Sequence, residues 1–225
     1  IVRTLINDIT PGSNFYDNDF DIVASHYIDS KDDKYRLRSP NDLIFDSKGD
    51  LWFTDSYFGL WVGQLTFPSY VTHAECEDCI KTTNIYRLKK GSTKVELAAK
   101  IAGSPSGIGF SPDESTMYVV DLDKEYLIKY DQPMSGNFPL EQGFDTIWIP
   151  SDGFAVDDKG LIWASNQFGV SVIDPNLDSL IPSFEKVAKV YLGIATTNVA
   201  LGDDGDVFVT GLHNVLKFKR ATKEE

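Results

Sequence analysis

A repeated sequence pattern is the feature that most restricts how this chain can fold. Four segments each contain a short polar motif, alternating apolar residues, an acidic turn and an apolar strand. They read SPNDLIFDSKGDLWFTD (39–55), SPSGIGFSPDESTMYVVD (104–121), PSDGFAVDDKGLIWAS (150–165) and TTNVALGDDGDVFVTG (196–211). A repeat of about 45 residues with three or four strands is typical of a β-propeller blade. The sequence therefore predicts an all-β fold of the propeller type.

Each repeat contains two alternating runs separated by a Gly/Asp turn, which predicts a β-hairpin. Further strands are expected at 85–88, 127–130, 170–173 and 215–218, which are rich in β-branched and aromatic residues. The runs 51–53 and 161–163 are apolar at consecutive positions, which favours sheets covered on both faces over a β-sandwich. A short helix is expected at 183–190.

Four polar residues occupy the same phase of the repeat, namely Asn41, Ser106, Asp152 and Asn198, with separations of 65, 46 and 46 residues. Because equivalent positions of successive blades lie at the same radius around a propeller axis, these side chains are expected to converge at the mouth of the channel. Oxygen ligands without His or Cys suit a hard cation such as Ca²⁺ better than zinc or copper. Turn capping by these residues is the alternative explanation.

Composition restricts the partners. The chain has 34 acidic and 21 basic side chains, a net charge of −13, which argues against binding to nucleic acid. No stretch approaches the roughly 20 apolar residues of a membrane-spanning helix. Cys76 and Cys79 form a C-x-x-C pair that lacks the second pair of a structural zinc site, so free thiols and a loop disulfide both remain open, as does the compartment.

The motifs resemble the SMP-30/gluconolactonase/luciferin-regenerating-enzyme family. RLRSPNDLIFDSKGDLWFTDSYFG (36–59) is similar to one blade of that family, and the three later repeats are similar to the blades that follow it, so the resemblance covers about residues 36–218. It implies a six-bladed propeller with a divalent cation, usually Ca²⁺, in its central channel. It also implies hydrolysis of lactones or related esters, which are small-molecule substrates.

The resemblance assigns roles residue by residue. Asn41 matches an asparagine ligand of the metal, and Asp152 matches the aspartate ligand that also acts as base or nucleophile. Ser106 stands where the family has a second asparagine, and the family's glutamate ligand has no counterpart in this sequence. From its position directly after Asn41, Asp42 is expected to point away from the axis and to orient a ligand from outside, with an ordinary turn carboxylate as the alternative. The further pocket candidates are Asn198, Asn166 and His213, whereas His26 and His73 are weaker candidates for a catalytic role.

The chain is expected to form a single propeller domain over residues 1–225. Residues 1–38 are predicted to form a partial blade, and the successive blades are expected at about 39–103, 104–149, 150–195 and 196–225, with an insertion loop at 60–83. At about 45 residues per blade the sequence accounts for five blades, so the ring is expected to be incomplete at its N-terminus. An upstream segment or another chain would supply the missing blade, or residues 1–38 would fold into a degenerate blade that closes the ring.

Two other functions stay open at this point. The first is a propeller that binds a protein or carbohydrate partner without catalysis, which the serine at position 106 favours. The second is a paraoxonase-like or strictosidine-synthase-like relative, because one fold supports many functions. The pair formed by Asn41 and Asp152 favours the metal-binding branch.

Overall fold

A computed structural model describes residues 23–24, 26–31, 33–57, 82–141, 143–176 and 187–220. The strands are β1 (His26–Ile28), β2 (Lys34–Arg36), β3 (Pro40–Phe45), β4 (Leu51–Asp55), β5 (Asn84–Leu88), β6 (Val95–Lys100), β7 (Pro105–Phe110), β8 (Thr116–Asp121), β9 (Tyr126–Asp131), β10 (Phe144–Trp148), β11 (Phe154–Val156), β12 (Ile162–Asn166), β13 (Gly169–Ile173), β14 (Ala188–Tyr191), β15 (Thr196–Leu201), β16 (Asp206–Gly211) and β17 (Val215–Lys219). A short 3₁₀ turn covers Pro133–Ser135.

The strands form antiparallel sheets in simple sequential order. Blade A contains β3 to β6, blade B β7 to β10, blade C β11 to β14 and blade D β15 to β17, and strands β1 and β2 form a separate hairpin. Each blade begins with its innermost strand. Those first strands are neighbours, since β3 contacts β7, β7 contacts β11 and β11 contacts β15. The four blades therefore follow one another around a common centre, and the prediction of a β-propeller is confirmed.

The acidic turns explain why the first two strands of a blade pair. In blade A the Asp46 carboxylate accepts the backbone N–H groups of Lys48 and Asp50 at 2.9 Å, and it also accepts the indole N–H of Trp52 at 2.9 Å. Asp157 makes the same set of bonds in blade C, including one at 3.0 Å from the indole of Trp163. One aspartate thus closes the turn and fixes the tryptophan of the following strand.

Apolar side chains fill the spaces between the blades. The cluster between blades A and B contains Trp52, Ile85, Ala98, Ala99, Ile108, Phe110, Met117, Val119, Ile128 and Tyr130. On the other face of blade B, Tyr118 and Val120 pack against Phe154 and Ile162 of blade C. Alternate residues of one strand therefore serve two different interfaces, as expected for sheets covered on both sides.

One element differs from the sequence prediction. The helix expected at 183–190 is wrong where the structure describes it, because Ala188–Tyr191 is strand β14, which pairs with β13 at the outer edge of blade C. The outer edge of a sheet offers free backbone hydrogen bonds, and this pairing overrides the weak local preference for a helix. Residues 183–186 of that prediction lie outside the described residues.

Several other predictions are not tested. His73, Cys76 and Cys79, most of the insertion at 60–83 and the first 22 residues of the partial blade lie outside the described ranges. The blade boundaries and the count of six blades stay predictions. Within the described residues, no helix has the length and apolar character needed to cross a bilayer.

Candidate metal centre

The candidate centre lies where the innermost strands of three blades meet. Asn41 is the second residue of β3, Ser106 is the second residue of β7, and Asp152 comes two residues before β11. Ser106 is fully buried, whereas Asp152 is half-buried and Asn41 is exposed. The chain thus delivers one polar side chain per blade to the same place, with Ser106 at the bottom and Asn41 on the solvent side.

The hydroxyl of Ser106 joins the other two side chains. Its Oγ lies 3.0 Å from Asn41 Oδ1, 2.5 Å from Asp152 Oδ1 and 2.7 Å from the backbone oxygen of Asp152. One hydroxyl proton faces three acceptor oxygens, so the cluster contains more lone pairs than donors. A bound cation is the group that would relieve this excess.

The donor set fits a hard cation. All the converging atoms are oxygens, and one of them belongs to a carboxylate, which is the chemistry that Ca²⁺ selects. No group of three or more His, Cys, Asp or Glu side chains that could hold a metal occurs among the described residues. The ligands would therefore be a mixed set of amide, hydroxyl and carboxylate from Asn41, Ser106 and Asp152.

Hydrogen bonds to backbone oxygens fix the distance between the blades at this centre. Thr54 of blade A donates its hydroxyl to the backbone oxygen of Ser106 at 2.7 Å. The N–H of Gly107 in blade B donates to the backbone oxygen of Asp152 at 2.9 Å. Ser165 of blade C donates to the backbone oxygen of Thr197 in blade D at 3.2 Å. Blade B is thus attached to blades A and C, and blade C to blade D, beside the site.

Asp42 lies between blades A and B. Its carboxylate accepts the N–H of Leu43 at 2.9 Å and the N–H of Ile108 at 3.2 Å. Burial raises the pKa of Asp42, and the negative charge of Asp152 contributes in the same direction. Because this influence requires proximity, Asp42 lies within electrostatic reach of the cluster, although it makes no hydrogen bond with Asn41, Ser106 or Asp152 in the described part of the chain.

The other pocket candidates make their hydrogen bonds outside the cluster. Asn198 contacts blade C at Gly153, and its Oδ1 accepts the N–H of Val199 at 2.8 Å. Asn166 accepts the N–H of Phe168 at 2.7 Å and donates to the hydroxyl of Ser171 at 2.9 Å. Neither side chain is hydrogen-bonded to Asp152 in the described residues.

The structure describes two of the three histidines, His26 and His213. His213 is exposed in the connection between β16 and β17, and among the described residues it makes no hydrogen bond with the cluster. His26 lies in β1, on the hairpin beside blade A. The roles proposed for the pocket candidates, including His213, therefore stay predictions.

The sequence analysis did not predict two buried carboxylates that hold the backbone just before the inner strands β3 and β7. Asp55 ends β4 and is fully buried, and its two oxygens accept the N–H groups of Arg38 at 3.0 Å and Ser39 at 2.7 Å. Asp121 ends β8 and accepts the N–H of Ser104 at 3.0 Å. Ser39 and Ser104 each precede the site residue by two positions. A recurring Asp at the end of the second strand in two repeats was the available signal.

Comparison with known proteins is consistent with this architecture. The family model for the SMP-30/gluconolactonase/LRE-like region matches residues 12–213. The chain therefore belongs to that family, and the resemblance inferred from its motifs is confirmed.

Individual members of the family are similar to this chain in sequence and fold. The chain is 26% identical over 202 residues to a gluconolactonase of Zymomonas mobilis, a match that covers 83% of the chain and 52% of the relative. A solved gluconolactonase of Xanthomonas campestris superposes with a TM-score of 0.63 at 28% identity, covering 79% of this chain and 55% of that one. A solved calcium-binding regucalcin of Agrobacterium tumefaciens shares the fold, with a TM-score of 0.53 at 24% identity, covering 76% and 52% of the two chains. The chain thus spans about half the length of the curated relative that it matches.

Proposed function

We propose that this chain carries the catalytic centre of a calcium-dependent hydrolase of lactones or related esters. The observation that carries the proposal is the convergence of Asn41, Ser106 and Asp152 from three blades around one shared hydroxyl. Membership of the gluconolactonase-like family and the activity named for the relative from Zymomonas mobilis support a lactone as the substrate class. Another divalent cation with a preference for oxygen ligands fits the same donor set.

The side chains of the centre have separate roles in the proposed hydrolysis. When bound, the cation supplies a Lewis acid that polarises the carbonyl group of a lactone. Asp152 Oδ1 is held by Ser106, so its second oxygen remains to accept a proton from an attacking water or to attack the carbonyl carbon itself. By either route the ring C–O bond breaks and the alkoxide that leaves takes up a proton. After direct attack, water hydrolyses the anhydride formed on Asp152 and restores the carboxylate. Asn41 would fix the cation on the open side of the site.

A test of this proposal compares the wild type with Asp152→Asn in two measurements. The first is lactone hydrolysis, followed as acid release from glucono-δ-lactone above the uncatalysed rate, with and without Ca²⁺. The second is the thermal midpoint. We expect a Ca²⁺ concentration 100 times the Kd to raise the midpoint of the wild type by about 5–10 °C. Asp152→Asn should lose this shift and lower turnover by about 100-fold or more.

Asp203→Asn is the matched control, because Asp203 is an exposed aspartate in the turn between β15 and β16. It should retain both the calcium shift and the turnover. Full turnover in Asp152→Asn would disprove the mechanism. Calcium stabilisation of the wild type without any hydrolysis would instead support the binding module, which Ser106 favours because a hydroxyl is a weaker ligand than the amide that the family has there.

A further inference from the structure

A cavity lies between blades B and C. It has a volume of about 470 Å³ and is enclosed by the end of β10, the connection between β12 and β13, and strand β14. None of the three proposed ligands Asn41, Ser106 and Asp152 lines it. A volume of this size falls within the range of cavities that bind small organic molecules.

The lining of this cavity is mainly apolar, and its apolar wall consists of Ile149, Pro150, Ala164, Val170, Ile173 and Val190. Lys189, an exposed side chain, is the charged residue of the lining. Lys189 already has an interaction partner, and an unpaired charge is costly to bury among apolar groups, so the cavity suits a neutral guest.

Aromatic side chains stand at the rim. Phe168 and Tyr191 stack with ring centroids 6.1 Å apart and an interplanar angle of 26°, although 53% of Phe168 and 77% of Tyr191 is exposed. Trp148 lies on the same rim, and its indole N–H donates to Glu125 at 3.0 Å. Exposed rings beside an apolar cavity offer flat surfaces against which a planar guest can stack.

A hydrogen bond from Asn166 orients the hydroxyl of Ser171 in the wall of the cavity. Ser171 is buried, and its Oγ accepts a hydrogen bond from Asn166 Nδ2 at 2.9 Å. Since this bond uses a lone pair of the hydroxyl, the hydrogen of Ser171 remains to be donated to another acceptor. A guest that offers a carbonyl or ether oxygen would meet this donor.

We propose that the cavity is a binding site for a neutral, planar small molecule that carries a hydrogen-bond acceptor. The ring system stacks against Phe168 and Tyr191, and the acceptor oxygen receives the hydroxyl hydrogen of Ser171. This site does not depend on the proposed hydrolase activity, because its residues are separate from the proposed metal ligands.

The test uses chromone as the probe, since it is neutral and planar, carries a carbonyl oxygen and is not a lactone that the proposed hydrolase centre would bind. Isothermal titration of the complete chain should detect binding. Ser171→Ala should raise the Kd about fivefold through the lost hydrogen bond. Tyr191→Ala should raise it about three- to tenfold through the lost ring contact. Tyr191 is largely exposed, so this variant is expected to fold.

Two further variants separate the cavity from the metal centre. Phe208→Ala removes a partly exposed ring of blade D and should leave the Kd unchanged. Asp152→Asn should also retain chromone binding even when lactone hydrolysis is lost, so the two proposals can fail independently. The proposal is overturned if the wild type does not bind chromone, if Ser171→Ala and Tyr191→Ala bind it as tightly as the wild type, or if Asp152→Asn abolishes binding.

Discussion

At the scale of single residues, Asp55 connects the stability of the fold to the position of the site. Burial raises its pKa from the ordinary value of 3.8 to about 6, against the opposing effect of the N–H groups of Arg38 and Ser39. These two residues immediately precede the β3 segment that carries Asn41. The carboxylate therefore holds the entrance of blade A in place, but its charge is poorly solvated.

We expect this burial to make stability depend on pH. Because the pKa of Asp55 is higher in the folded state than in the unfolded chain, the folded protein binds the proton more tightly. This contribution to stability is fully present below pH 3.8 and is lost as the pH rises through about 6. The wild type should lose this contribution as the pH rises, whereas Asp55→Asn cannot titrate at this position. The difference in free energy of unfolding between the wild type and Asp55→Asn should therefore shrink by up to about 3 kcal/mol between pH 4 and pH 7.5. Urea unfolding at several pH values measures this difference.

Asp113→Asn is the control for this pH series. Hydrogen bonds from Ser111 and Ser115 lower the pKa of Asp113 to about 2, so its stabilising effect is lost only below pH 3.8. Its stability difference from the wild type should stay constant between pH 4.5 and pH 7.5. If the stability difference between the wild type and Asp55→Asn is equally constant or widens as the pH rises, burial does not raise the pKa of Asp55.

At the scale of the elements, glycine allows neighbouring inner strands to approach. A Cβ added to Gly153 would lie 2.4 Å from Asn198 Oδ1, so this glycine leaves room for a side chain of the next blade. Gly107 has the same position in blade B, where an added Cβ would lie 2.9 Å from Phe154. Each of these glycines directly follows a site residue, Ser106 or Asp152, so the spacing of the blades and the geometry of the site depend on the same positions.

Gly153→Ala should therefore destabilise the interface between blades C and D by about 1–3 kcal/mol, the usual cost of overpacking. In the background of Asn198→Ala most of this loss should disappear, because the clashing side chain is absent. Thermal or urea unfolding of the two single variants and the double variant gives the coupling energy. The control is Gly202→Ala, whose Cβ would meet its nearest neighbour at an ordinary 3.4 Å. Additive effects of the two substitutions would contradict this account.

These elements also show how far the sequence predicts the fold. Alternation of apolar residues predicts the first two strands of each blade, and β-branched and aromatic residues predict the third, since both signals are local. The outermost strands β6, β10 and β14 were not predicted individually, because they are fixed by pairing with a neighbour rather than by their own pattern. The close approach at Gly153 was not predicted for the same reason: its partner Asn198 lies 45 residues further along the chain.

At the scale of the whole molecule, rotational repetition explains why distant residues meet. The common phase of Asn41, Ser106 and Asp152 was readable from the sequence, and hydrogen bonds join these three side chains in the structure. Asn198 shares that phase but contacts Gly153 rather than the shared hydroxyl. The repeat thus predicts which residues approach the centre, whereas the direction of each side chain depends on contacts between blades that the pattern does not contain.

The inner strand of blade A has one apolar face without a neighbouring blade among the described residues. Ile44 packs toward blade B, but 58% of Leu43 and 63% of Phe45 is exposed on the opposite side. Exposed apolar patches of this kind promote association.

The double substitution Leu43→Ser/Phe45→Ser should therefore reduce self-association of the 225-residue chain, measured by sedimentation velocity, with little change in the thermal midpoint. Ile44→Ser on the same strand should lower the midpoint without reducing association. If the double variant sediments like the wild type, the chain does not self-associate through the face that carries Leu43 and Phe45.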